Sequence, residues 1–246
     1  METDNLNRFE FLGVRLDFPS DETLEAYASV PDGGRNRQVC FVTLRAFLKA
    51  RRGGEFGSLL AGSDLVLPVS PTLAAAAAKA GARGARSYDS LRVLVKFLSA
   101  LELRNGAIYL AGSKSSILAK TEANLKSTFP GLRIVGRYAG PWSVPEARSA
   151  FEAIRKATPN LLLAGSGLPG GEIWLSRQLP EFRSGLFVWD RRILETLAGK
   201  GHKLLSSDCK MYSRLHEYIE SPMAPFRVVT LLAFVVARYF DKKNKK

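Results

Sequence analysis

The sequence predicts an α/β chain: a Rossmann-like, doubly wound, mostly parallel sheet with a C-terminal helical appendage. Three observations predict it. Strand-like and helix-like stretches alternate some seven times along the first 190 residues, the pattern of a parallel sheet covered by helices. Two of the strands, Ala107–Ala111 and Leu161–Ala164, are apolar throughout, as strands buried on both faces are. Each runs straight into a glycine, Gly112 or Gly165, and then toward a helix. In open α/β sheets that junction seats phosphate-bearing ligands, because the helix offers free N–H groups and the positive end of its dipole.

The elements follow in order. Leu12–Phe18 alternates apolar and polar residues, the signature of a half-buried strand. Ser20, followed by Asp21 and Glu22, is a capped helix start. Gln38–Thr43 reads as a strand ending at a threonine, and Arg45–Arg52 as a basic helix. Ser63–Pro68 is the next strand, and alanine-rich Thr72–Ala80 a strong helix former. Leu91–Leu103 carries the apolar spacing of a buried helix. The strand at Ala107, a helix to Phe129, the strand Leu132–Val135, the helix Val144–Ala157 and the strand at Leu161 come next. Gly185–Asp190 closes the series, and the chain beyond is helical, basic and irregular. The expected organisation is one domain over 1–190 and an appendage over 191–246.

At 246 residues and 46% hydrophobic, the chain can bury a full core. Cys40 and Cys209 are too few for a disulfide framework or a zinc site, which fits a reducing compartment. His202 and His216 have no neighbours at metal-ligand spacing, so no metal is expected. The acidic, polar start of the chain lacks the order of a secretory signal. The longest apolar run, Val228–Ala237, is ten residues, where a bilayer-spanning helix needs about twenty. A net charge of +13 calls for an anionic partner. Nucleic acid is not expected, since the basic residues are dispersed and no nucleic-acid-binding motif is present. They do gather at the end, from Arg238 to Lys246, behind the apolar run. That combination suits a helix lying on an anionic membrane; a core helix with a solubilising tail is the alternative.

Gly165, Gly167 and Gly170 match the letters of a dinucleotide fingerprint, with Asp190 twenty residues on. Pro169 and the Gly170-Gly171 pair stand where the helix should already be forming, which argues against it. Ser113-Lys114 resembles the end of a P-loop without its glycine spacing; Lys114 remains a candidate to neutralise a diphosphate. By topology, Gly112, Ser113, Lys114, Gly165, Gly167 and Pro169 should line one cleft.

The stretch from Leu103 to Gln178 is more specific. Ala107–Lys114, Ala123-Asn124-Leu125, Phe129-Pro-Gly-Leu-Arg-Ile-Val-Gly136 with Gly140, and Pro159–Pro169 with Glu172 and Trp174 resemble the WecG/TagA/CpsF glycosyltransferases, glycosyltransferase family 26. Thr43-Leu44, Glu55-Phe56 and Asp64–Pro68 fit its N-terminal part. Leu197–Lys200, Tyr212–Leu215 with Arg214, and Pro222 echo its C-terminal part.

The resemblance implies transfer of an N-acetylhexosamine-type sugar from a UDP-sugar to a lipid-linked acceptor in cell-surface polysaccharide synthesis. The UDP-sugar would be the donor substrate, and no metal or cofactor is required. The location implied is cytoplasmic and peripheral at the inner membrane face, with oligomer formation left open. Glu172, Gly140 and Arg214 join the binding residues, and Thr43 the catalytic ones. The departures fall on chemistry. The family's catalytic aspartate falls on Val69, the following glycine on Ser70, its glutamine on Gly171 and the asparagine after Thr43-Leu44 on Arg45. Valine cannot take the proton of an acceptor hydroxyl, a function contributing about a hundred- to ten-thousand-fold. Asp64 has a counterpart in the family and is expected to be structural. A catalytically inactive relative that binds nucleotide-sugar, or acts as a scaffold at the membrane, is therefore the alternative.

Overall fold

The computed structural model describes residues 6–29, 36–182, 185–200 and 224–244. Near the start, the alternating stretch Leu12–Phe18 supplies the turn and second strand of a hairpin, β2 (Val14–Leu16), which pairs with an additional strand before it, β1 (Phe9–Phe11). Leu12 and Gly13 between them have φ of 52° and 77°, as a two-residue hairpin turn requires.

Helix α1 (Asp21–Ser29) leads to the main sheet. Its strands are β3 (Asn36–Val42), β4 (Leu65–Pro68), β5 (Ala107–Ala111), β6 (Arg133–Tyr138), β7 (Leu161–Ala164) and β8 (Gly185–Trp189). They lie in the order β4-β3-β8-β7-β5-β6, and every pairing is parallel. The connecting helices are α2 (Leu44–Arg51), α3 (Gly54–Gly62), α4 (Pro71–Lys79), α5 (Ser90–Glu102), α6 (Ser115–Thr128), α7 (Val144–Ala157) and α8 (Glu172–Gln178). A short helix, α9 (Ile193–Glu195), follows β8, and α10 (Ala224–Asn244) ends the described chain. The expected doubly wound α/β class is what the molecule adopts.

Alternation along the central strands builds two cores. Ile108, Leu110, Leu161, Leu163, Leu186 and Val188 pack into the larger one with α5 and α6. Their neighbours Tyr109, Ala111, Leu162, Ala164 and Phe187 pack on the other face with α7 and α8. This explains why the strands read as unbroken apolar runs.

The buried Asp17 ties the N-terminal hairpin to the sheet. Its Oδ2 accepts from the Val66 N–H at 2.7 Å, and its own N–H donates to the Val66 carbonyl at 2.8 Å. Burial raises its pKa, against the pull of Arg15 and Arg8 beside it. Asp64 acts at the same end of β4, accepting from the Gln38 N–H at 2.9 Å. That is the structural task expected of it.

Helix α10 does not stand apart from the body. Phe234, 2% exposed, joins the larger core and packs against Phe11 and Phe47, with ring centroids 6.3 and 6.0 Å away. On its other side Val229, Leu232, Val235, Val236 and Tyr239 are all more than half exposed. The expectation that the chain from about Leu204 onward stays out of the core is thus corrected for α10: the helix contributes to the core through Phe234 and leaves a second apolar face outside. The described helices include none long and apolar enough to cross a membrane.

Candidate functional site

Because all six strands run the same way, the turns that follow them share one edge of the sheet. The sequence-predicted residues Gly112, Ser113, Gly140, Gly165 and Gly167 come together there, after β5, β6 and β7. They meet backbone to backbone. Ser113 N–H donates to the Ser166 carbonyl, Gly140 N–H to Ser113 O at 2.7 Å, and Trp142 N–H to Gly167 O at 2.9 Å. Gly112 N–H reaches Tyr138 O at 2.9 Å. A Cβ on Gly112 would lie 2.6 Å from Ser166 O, and one on Gly167 3.1 Å from Pro141 Cα. Gly167 also has φ of 102°, so both proximity and conformation require glycine.

Lys114 follows at the start of α6 with its side chain exposed, and Pro169 is half-buried in the next turn. Behind these turns stands an aromatic group. Trp142 meets Tyr138 and Trp174 edge-on, with centroids 5.6 and 5.5 Å away, and its indole N–H donates to the Ala139 carbonyl.

Glu172 is placed differently from those turn residues. It begins α8 but is 7% exposed and points inward, interacting with the Cys40 thiol of β3. Burial first, and Asp190 second, push its carboxyl up to about 7, against the opposing effects of Cys40 and Lys49. Cys40 Sγ lies 3.1 Å from Ser63 Oγ, and burial raises the thiol's pKa well above its ordinary value.

Thr43 and Val69 lie on the other half of the edge, across β8. The register pairs Val42 with Pro68, and Val69 N–H donates to Val42 O at 3.0 Å, so the two positions are neighbours as expected. Thr43 Oγ1 caps α2, accepting from Ala46 N–H at 3.2 Å; Ser70 caps α4 in the same way. At Gly171 the backbone has φ of 60°, and a Cβ there would stand 3.1 Å from Trp189 Cζ2. The Trp189 indole thus occupies the direction a longer side chain would take, with its N–H bonded to Gly165 O at 3.0 Å. Arg214, with the Tyr212–Leu215 motif, His202, His216 and Cys209, lies outside the described residues.

A family comparison matches residues 9–204 to the glycosyl transferase WecG/TagA/CpsF family. The chain belongs to that family. A search of curated proteins finds no match. Membership implies glycosyl transfer in cell-wall polysaccharide synthesis, with a nucleotide-sugar and a lipid-linked acceptor as the general substrates. The match ends before α10.

Glu195 is the residue that motif reading missed. It sits on α9, where its Oε1 accepts from Ser113 Oγ at 2.7 Å and Ser166 Oγ at 3.1 Å. No short motif contains this carboxylate; only the strand order, which sets the turn after β8 beside those after β7 and β5, brings it in. Among the described residues no group of three or more His, Cys, Asp or Glu could hold a metal ion. A groove of about 530 Å³, lined by Glu10, Arg15, Arg51 and Gly53 among others, contains none of the predicted site residues.

Proposed function

We propose that this family member binds a UDP-linked N-acetylhexosamine at the carboxyl edge of its sheet and transfers the sugar to a lipid-linked acceptor. The observation that supports it is the interlocked set of glycine turns after β5, β6 and β7, in a chain whose family transfers sugars. Open α/β sheets bind nucleotides at this edge, and the exposed Lys114 offers charge for the diphosphate. Thr43 stands at the acceptor side. The UDP-sugar is the donor substrate, and the proposal calls for no metal or cofactor. The protein would work in the cytoplasm, peripheral to the inner membrane face, with the exposed side of α10 and its terminal lysines against anionic lipid.

A second reading has its own support. Val69 fills the place of the family's base, and Trp189 crowds the position where its glutamine would project. Both favour a catalytically inactive relative that binds the nucleotide-sugar or acts as a scaffold at the membrane.

Calorimetry of the full chain with UDP, UDP-N-acetylglucosamine and UDP-N-acetylmannosamine, followed by an assay of sugar release and transfer, separates the readings. Binding with turnover supports the transferase, and binding without turnover the inactive relative. Absence of binding to all three would overturn the nucleotide-sugar assignment.

A further inference from the structure

Helix α2 carries charge that its own stability does not explain. It holds Arg45, Lys49 and Arg51, Arg52 caps its C-terminus, and it contains no acidic residue. Lys49 and Arg51 in the last turn suit the negative end of the helix dipole, but Arg45 stands in the first turn, where a cation opposes it. Arg45, Lys49 and Arg52 recur at i, i+4 and i+7, so they share one stripe, opposite the buried Phe47 and Ala50. All three are exposed, and among the described residues no carboxylate forms an ion pair with them. The next acid along the chain, Glu55, is taken by Arg177. The Lys49 ammonium lies 4.9 Å from the centroid of the Phe56 ring, which holds it at the surface.

Helix α10 packs on α2, with Phe234 against Phe47. Each helix is fixed to the larger core by that aromatic, so their exposed sides form one outer surface. On α10 that side is apolar, at Leu232, Val235, Val236 and Tyr239; on α2 it is cationic. An apolar strip beside a row of cations is the chemistry that meets anionic lipid. We infer that the stripe of Arg45, Lys49 and Arg52 binds the phosphate headgroups of an anionic bilayer while α10 inserts its apolar side. The folded body, and not the end of the chain alone, then sets how the protein lies on the membrane. Helix α2 starts from Thr43 on the carboxyl edge, so a bilayer along it reaches the Thr43 and Val69 side of that edge. This last consequence rests on the transferase reading, which puts the lipid-linked acceptor there.

Two experiments on the full chain test it. In the first, lysine acetylation is mapped by mass spectrometry with vesicles of phosphatidylcholine alone or mixed with phosphatidylglycerol. Anionic vesicles should protect Lys49 and leave Lys156 reactive, since Lys156 is exposed on α7, across the sheet. Equal protection of both, or protection of neither, would overturn the inference. In the second, vesicle sedimentation compares Lys49→Gln with Arg52→Gln as a pair against Arg148→Gln with Lys156→Gln, the same loss of charge taken from α7. The α2 pair should weaken binding to anionic vesicles about thirtyfold and the α7 pair no more than about threefold.

Equal weakening by the two pairs would overturn the inference, because net charge alone would then account for the attraction. So would an α2 pair that loses affinity for duplex DNA but not for vesicles, which would make nucleic acid the occupant. Calorimetry with UDP on the same proteins keeps the two readings apart. A wild type that binds anionic vesicles through α2 without binding UDP supports this surface and brings down the nucleotide-sugar reading alone. Thermal melts check folding; should the α2 pair fail to fold, the acetylation map of the wild type decides.

Discussion

Glu172 holds its proton at a pH where an exposed glutamate has lost it. Its carboxyl titrates at about 7 in the folded chain, against an ordinary value of 4.5. Between those values the unfolded chain has released the proton and the folded chain retains it, so stability falls as pH rises through that window. The full effect is on the order of 3 kcal/mol. Glu172→Gln should therefore be more stable than wild type at about pH 8, with the advantage gone near pH 4.5; thermal melts at both values check it. Gly171 makes a second residue-level case. Gly171→Gln meets a left-handed backbone and the Trp189 ring, and should cost about 1–2 kcal/mol. Val69 is half-buried at a strand end, so Val69→Asp should fold better than Gly171→Gln in urea titrations. Sugar transfer gained by Val69→Asp alone would support the proposal that an inactive site lacks a base at this position.

Most elements were legible because their apolar period or their caps were strong. Helix α3 was not, and its glycines explain why. Gly53, Gly54, Gly57 and Gly62 are poor helix formers, yet Gly57 is where α3 packs onto α2. A Cβ there would stand 2.9 Å from the Ala50 carbonyl oxygen. Gly57→Ala should accordingly destabilise the protein by about 1–3 kcal/mol, although alanine improves helix propensity; chemical denaturation reads the sign. Helix α10 has one face in the core and another, exposed and apolar, proposed to meet the membrane. Phe234→Ala should cost about 3 kcal/mol as a core truncation and leave vesicle binding little changed under folding conditions. Leu232→Ser with Val236→Ser should leave stability nearly unchanged and weaken sedimentation with anionic vesicles. The reverse assignment of these two effects would exclude α10 as the membrane face.

For the molecule as a whole, the sequence conveyed layers and direction but not lateral neighbourhood. Continuous apolar strands announced a parallel sheet, and its glycine turns announced which edge carries the candidate site. The order β4-β3-β8-β7-β5-β6 could not be read from period or spacing, because strand order is fixed by long-range packing. That is why Thr43 and Val69 were legible as a pair from family motifs, while Glu195 was not legible at all. Net charge acts at this scale too. With +13 spread over the chain, binding to anionic vesicles should weaken steeply as salt rises from low to physiological strength; insensitivity to salt would leave hydrophobic insertion as the sole attraction. The hydrogen bonds that join the turns after β5, β6 and β7 have a kinetic consequence. A loop amide usually exchanges with deuterium quickly, but those of Ser113, Gly140 and Trp142 can open only when neighbouring turns part. They should exchange as slowly as amides of the central strands, which makes this stretch of the rim a fixed seat rather than a hinge. Any closure over a ligand must then be performed by other parts of the chain.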